Sequence, residues 1–189
     1  MSNSHTPAHP PLDPRLGIEL ARAAIAQAQE HGARAALAGG LAMMTYGSDR
    51  LTADIDIVTD DPLLRPGKPG KSLTFGGRSY TKDGATIDVI LRTDDKKDVY
   101  DAALGDITMR APWKGAPKIA TLTAEWLALM KFLAKRNKDI MDLQYLVRRK
   151  IVDRKLLLKH CQAIYGKHAY LIIDELQQEF TLADAGFGA

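Results

Sequence analysis

Residues Asp54 to Thr59 read Asp-Ile-Asp-Ile-Val-Thr, and this alternation constrains the chain more than any other segment. On a strand, side chains two residues apart point to the same face. Asp54 and Asp56 therefore project together, while Ile55 and Ile57 point the other way, into a core. Two neighbouring carboxylates repel each other. A divalent cation between them removes the repulsion and supplies a Lewis acid. The pattern returns at Ile87-Asp88-Val89, where one acid stands between apolar neighbours on what reads as an adjacent strand. Asp54, Asp56 and Asp88 together have the chemistry of a site for one or two Mg²⁺ or Mn²⁺ ions. An edge strand with one wet face shows the same alternation, so the Asp-Ile pattern alone leaves both readings open.

The segment before the pair adds to it. Ala35 to Ala38 reads as a short buried strand that ends in Gly39-Gly40. A helix turn or two, Leu41 to Tyr46, follows. A glycine turn that opens a helix suits phosphate, because glycine lets an anion approach the backbone and the first helical N–H groups are free. A Gly-Gly pair is also an ordinary turn.

Around these motifs the pattern is mixed α/β. A helix is expected over Leu16–His31, stopped by Gly32. Asp60 to Gly77, rich in Gly, Pro and Lys, reads as a loop. Lys82-Asp83-Gly84 joins Arg78–Thr81 to Ala85–Leu91 as a hairpin. A short helix near Val99–Leu104 and a strand at Lys118–Leu122 come next. The last third is helical, with Trp126, Leu129, Met130 and Leu133 at core spacing. Further helices are expected at Lys138–Arg148, with Asn137 as N-cap, and at Asp153–Tyr165 and Lys167–Phe180. The expected organisation is a disordered tail at 1–14 and a core at 15–122. A helical region at 123–182 packs on that core, and a frayed end covers 183–189.

Composition narrows the function classes. The chain of 189 residues has one cysteine, which rules out an internal disulfide framework, and Cys161 reads as a small buried hydrophobe. No apolar run is long enough to span a bilayer, and no secretory signal stands at the N-terminus, so the expected location is the cytoplasm. A net charge of +3 fits a polyanionic partner without requiring one. His5 and His9, in a segment with four prolines, make an improbable metal site. Gly67-Lys68-Pro69-Gly70-Lys71-Ser72 ends like a P-loop, but Arg65 stands where the first glycine belongs and Pro69 lacks an N–H. It reads as a mobile basic loop able to lie over an anionic substrate.

The run AGGLAMMTYGSDRLTADIDIVTD resembles the nucleotidyltransferase superfamily, whose members carry a Gly-Gly or Gly-Ser turn, a helix and an acidic pair on the next strand. The Arg-x-Thr-x-Asp-x-Asp ending looks like the branch of abortive-infection type IV toxins. The later segment TAEWLALMKFLAKRNKDIMDLQYL is similar to that branch's helical region, where a lysine is followed by Lys-Asp-x-x-Asp on the next helix. The resemblance covers roughly Ala35 to Leu146.

It implies a small twisted mixed sheet with helices on one face and a C-terminal helical bundle. It further implies that Gly39 and Gly40 contact a nucleoside triphosphate and that Asp54, Asp56 and Asp88 bind metal. Asp88 would also help activate the acceptor. Lys131 would reach the phosphates, Asp139 and Asp142 would support the site, and Arg50 would pair with a carboxylate or a phosphate. Read from the helix pattern alone, Lys131 is a snorkelling surface lysine, Lys138 and Asp142 form a solvated i,i+4 pair, and Trp113 and Trp126 serve packing.

The implied activity is transfer of a nucleoside monophosphate from a triphosphate to RNA such as tRNA, to a protein or to a small molecule. A toxin role with an antitoxin partner goes with that branch. The second class of function is a catalytically silent protein of the same fold that binds nucleotide, RNA or a partner protein.

Overall fold

A computed structural model describes residues 11–186. Helix α1 runs Pro14–Glu30, with the Asp13 carboxylate capping its first turn. Strand β1 (Ala35–Ala38) leads directly into α2 (Gly39–Thr45), and β2 spans Asp54–Thr59. Then come β3 (Lys68–Ser72), β4 (Gly77–Lys82), β5 (Ala85–Ile90), α3 (Lys97–Leu104), β6 (Ile107–Arg110) and β7 (Ile119–Leu122). Four helices close the described chain: α4 (Ala124–Ala134), α5 (Asn137–Arg148), α6 (Arg154–Tyr165) and α7 (Ala169–Asp184).

The strands form one seven-stranded mixed sheet in the order β3-β4-β5-β2-β1-β7-β6. The pairs β2–β5 and β1–β7 are parallel and the rest are antiparallel. The central strands are made of small and β-branched apolar residues. Ile55, Ile57 and Ile87 are fully buried, as the alternation requires, and all four residues of β1 are buried, Leu37 among them. Helix α1 packs on β1, β2 and β7, and α4 to α7 pack on one another. The α+β class expected from the sequence is the one observed.

Several details differ from expectation. The segment Asp60–Gly77 is not all loop, because β3 pairs with β4 through its backbone, with a register shift between Pro69 and Ser72. All five β3 residues are exposed, and Pro69 is tolerated because the strand is an edge. Strand β6, the other edge, was not anticipated. Helix α2 begins at Gly39, two residues earlier than expected. Asn137 is the first residue of α5, not its cap; Arg136 holds the cap position without a side-chain hydrogen bond. Pro14 already opens α1, and Leu12 donates its backbone N–H to the Thr52 carbonyl at 2.8 Å. His5 and His9 lie outside the described residues.

Cys161 is buried as expected, and burial pushes its thiol up to about 11. Trp126 is buried and stacks on His160 with ring centroids 4.1 Å apart, which is a packing role. Trp113 is partly exposed and lies outside the cleft described below. No described helix is long and apolar enough to cross a membrane.

Candidate active site: an acidic cluster beneath a cationic wall

The sheet register brings the three acids together. Asp56 pairs with Ala38 on one side and with Asp88 on the other, and Asp54 is two residues back on the same face. Carboxylate oxygens of Asp54, Asp56 and Asp88 all lie within 4.8 Å of one another. A single ion with oxygen ligands at about 2.0–2.6 Å can bridge that span. The donor set is wholly hard oxygen, which fits Mg²⁺ or Mn²⁺.

Two hydroxyls orient the outer acids. Thr52 Oγ1 donates to Asp54 Oδ1 at 2.8 Å, and Ser79 Oγ donates to Asp88 Oδ1. Burial first, then the charges of Asp54 and Asp88, push the Asp56 carboxyl up to about 7, against the opposing pull of Lys131 and Lys138.

Gly39 is needed at this place for two reasons. Its φ is +62°, and a Cβ built on it would lie 1.7 Å from Asp56 Oδ2. A Cβ on Gly40 would meet Thr52 Oγ1 at 2.7 Å and Arg50 Nη2 at 3.2 Å. The glycine turn thus lets the start of α2 close directly over the acids. We expect Gly39→Ala to cost about 1–2 kcal/mol in backbone strain alone and to displace the Asp56 carboxylate. Calorimetric titration with Mn²⁺ checks this: the variant should bind at least tenfold more weakly, and equal affinity would mean that Asp56 is not a ligand.

Opposite the acids stands an ionic network built on two buried carboxylates. Arg50, from the loop before β2, grips Asp142 of α5 through two bonds of 2.8 Å, Nε to Oδ1 and Nη2 to Oδ2. Lys131 of α4 bridges Asp142 Oδ2 at 2.7 Å and Asp139 Oδ1 at 2.9 Å, and Arg136 also donates to Asp139. Asp139 is completely buried and Lys131 is 6% exposed. The surface-lysine reading of Lys131 is therefore wrong. The expected Lys138–Asp142 pair is also absent among the described residues, because Asp142 turns inward to Arg50 and Lys131. Three cations on two carboxylates leave one net positive charge facing the acidic cluster.

The acids and this network line one cleft of about 490 Å³ between the sheet and α4–α5. Gly39, Gly40, Arg50, Lys131 and Asp139 are in its lining; Asp142 sits behind them. The far half of the cleft was not foreseen. There Arg92 is sandwiched between Phe75 and Tyr100, with its guanidinium carbon 4.6 and 4.8 Å from the two ring centres, and it pairs with Asp94. Leu73, Ile90, Met130 and Leu133 add apolar surface. Ser79, the hydroxyl partner of Asp88, is implied by the hairpin but by no motif. Pairing Lys82 with Ala85 across the Asp83-Gly84 turn places Ser79 opposite Asp88 by counting alone.

Among solved structures, an antigenic nucleotidyltransferase-like protein from Paracoccidioides brasiliensis matches 91% of this chain and 95% of its own, with a TM-score of 0.54 and 15% identity. The chain has a nucleotidyltransferase-like fold. The antibiotic-resistance factor ANT(2'')-Ia matches over 92% of this chain and 98% of its own, at a TM-score of 0.48 and 14% identity. A CCA-adding enzyme in complex with ATP matches over 89% of this chain and 47% of its own, at a TM-score of 0.41 and 20% identity. No family model matches the sequence, and no curated protein does. Within this nucleotidyltransferase-like fold, the glycine turn after β1 and the carboxylates of β2 and β5 meet in the lining of the cleft.

Proposed function

We propose that the chain is a metal-dependent nucleotidyltransferase that moves a nucleoside monophosphate from a nucleoside triphosphate to an acceptor. The observation that carries this reading is the convergence of Asp54, Asp56 and Asp88 within 4.8 Å, directly beneath Gly39 and facing Lys131 and Arg50 across one cleft.

Asp54, Asp56 and Asp88 would hold Mg²⁺ or Mn²⁺. When bound, such an ion neutralises the clustered carboxylates and acts as a Lewis acid toward phosphate oxygens. The chain's own residues do the rest. The Gly39-Gly40 turn receives triphosphate oxygens against backbone N–H groups. Lys131 keeps its ammonium on the cleft wall, fixed by Asp139 and Asp142, so its positive charge is pre-organised toward the phosphates. Arg50 adds a second cation, held by Asp142.

Asp88, oriented by Ser79, takes the proton of the acceptor hydroxyl as its oxygen bonds to the α-phosphorus. The bond from that phosphorus to the bridging oxygen breaks, and pyrophosphate leaves. The acceptor on this reading is RNA such as tRNA, a protein or a small molecule. A cytoplasmic toxin role with an antitoxin partner rests on the sequence resemblance to the abortive-infection branch alone.

The test is transfer of label from NTPs labelled at the α-phosphate, with γ-labelled NTPs as control. Label on an acceptor from the α-position only is the expected result. A stable Mg²⁺-dependent NTP complex with no transfer to any offered acceptor would favour the silent binding protein. Ser79→Ala should lower transfer about 10–100-fold, as for the loss of a partner that orients a metal ligand, with a change in melting temperature of about 2 °C or less. Unchanged transfer would mean that Ser79 does not position Asp88.

A further inference from the structure

The sheet carries a second concave place, on the face turned away from the cleft. On β4, Ser79 points to Asp88 and the cleft, so its neighbours Arg78 and Tyr80 point the other way. On β5, Val89 does the same beside Asp88. Ser72, at the end of β3, joins them, and the segment after β2 borders the same place through Asp61 and Arg65. These residues line a pocket of about 190 Å³ that shares none of its lining with the cleft.

The polar groups of this pocket are donors with little to donate to. Arg65 and Arg78 are exposed, and neither has a carboxylate partner among the described residues. Arg65 spends Nη1 on the carbonyls of Pro62 and Leu64, at 2.9 and 2.8 Å. Arg78 reaches the Gly70 carbonyl and Ser72 Oγ, both at a long 3.4 Å. A guanidinium has five N–H groups, so most of these are unspent. The carboxylate in the lining is already occupied. Asp61 is buried, with His31 Nδ1 2.7 Å from Oδ2 and the Leu63 N–H donating to Oδ1 at 2.7 Å.

Tyr80 adds the observation that points to a ligand. Its side chain is only 2% exposed. Tyr46 and Tyr145 give their hydroxyls to carbonyl oxygens, but that of Tyr80 meets no partner among the described residues. Nor is it sealed off, because the buried, partnerless side-chain atom among those residues is His160 Nε2. The opening that Tyr80 lines is this pocket. A buried phenol usually finds an acceptor. Here an acceptor has to come from outside.

Two guanidinium forks and two hydroxyls, from three segments, call for an anion with oxygens in several directions. A planar carboxylate fills one fork. A tetrahedral phosphate group meets both forks and a hydroxyl together. Size sets the other limit, since pockets that enclose drug-sized ligands start at about 300 Å³. The phosphate group enters, and whatever carries it stays outside. We propose that this pocket is a phosphate-group site separate from the transferase cleft, gripped by Arg65 and Arg78 and completed by the Tyr80 hydroxyl.

The test is calorimetric titration of the chelator-treated full chain with inorganic phosphate, without NTP and at constant ionic strength. The wild type should bind one phosphate. Arg65→Gln/Arg78→Gln should bind at least tenfold more weakly. Tyr80→Phe should bind about tenfold more weakly, the loss of one hydrogen bond to a charged group. This second variant matters because Arg65 also ties down two carbonyls, whereas phenylalanine keeps the packing of Tyr80. Both variants should keep the wild-type affinity for Mn²⁺, whose acids lie on the other face. A parallel titration with methyl phosphate separates the sources of the group. Equal binding means a phosphate carried on a larger molecule, and binding of inorganic phosphate alone means the free ion. The proposal is overturned if the wild type binds neither at millimolar concentration. It is equally overturned if the double variant binds like the wild type, which puts the phosphate in the cleft, or if Tyr80→Phe keeps the full affinity.

Discussion

Asp56→Asn should abolish nucleotidyl transfer and, without metal, make the protein more stable. Loss of a group that meets the reacting charge costs on the order of 10³ in rate, and asparagine cannot replace a carboxylate as an anionic ligand. The stability gain follows from the titration of Asp56. Its carboxyl ordinarily titrates at 3.8 and here is pushed up to about 7 by burial and by Asp54 and Asp88. Between those values the folded chain holds a proton that the unfolded chain releases, so stability falls as pH rises through the window. Above about pH 7 the full penalty is in place. In chelator-treated protein the wild-type melting temperature should therefore drop from pH 5 to pH 8 more than that of the variant.

At pH 8 the variant should melt several degrees higher, at roughly 2–4 °C per kcal/mol for a chain of this size. Saturating Mg²⁺ should reverse the order, because the ion binds the deprotonated wild-type cluster. An Asp56→Asn protein that is less stable than the wild type at pH 8 without metal would mean that the carboxylate is held by attraction, and the site would need rebuilding.

Lys131→Met should be among the most destabilising single changes at this site, at about 3 kcal/mol or roughly 6–12 °C. The ammonium is shared by two buried carboxylates, and methionine leaves Asp139 with Arg136 alone and Asp142 with Arg50 alone. Burial works to raise the Asp139 carboxyl, but the hydrogen bonds and charges of Arg136 and Lys131 outweigh it and hold the group below its ordinary 3.8. Its contribution is therefore complete above about pH 4 and disappears as acid protonates it. Urea midpoints at pH 7 and pH 3 check the claim. The gap between wild type and variant should be wide at pH 7 and shrink at pH 3. A gap under about 1 kcal/mol at pH 7 is what a solvent-screened pair gives, and would mean that water reaches the network.

What the sequence disclosed follows from where side chains carry the information. Strand β2 and the hairpin β4–β5 announce themselves because each has one buried face, so apolar residues alternate with polar ones. The same alternation put Asp54, Asp56 and Asp88 on one face, and the structure brings them together. Strand β3 has no such pattern. Lys68-Pro69-Gly70-Lys71-Ser72 buries nothing, and only its backbone bonds to β4 make it a strand. Strand β6 is four residues at the opposite edge and equally quiet.

Lys131 was ambiguous for a different reason. Its helix is apolar nearly all round, so no sequence period shows whether a lysine there faces water or a buried acid. The Phe75–Arg92–Tyr100 stack joins residues from three separate segments, a contact that no local pattern encodes.

The Arg50–Asp142 grip joins residues 92 positions apart, one beside the acidic strand and the other in the C-terminal helices. Two parts joined this way are not interchangeable pieces. A helical segment transplanted from a protein of similar fold would bring its own acids against Arg50, and a mismatch would strand buried charge on both sides. Diversity among proteins built like this one should therefore accumulate in the exposed edge strand and the far end of the cleft. The joint between sheet and bundle should change only when both partners change together.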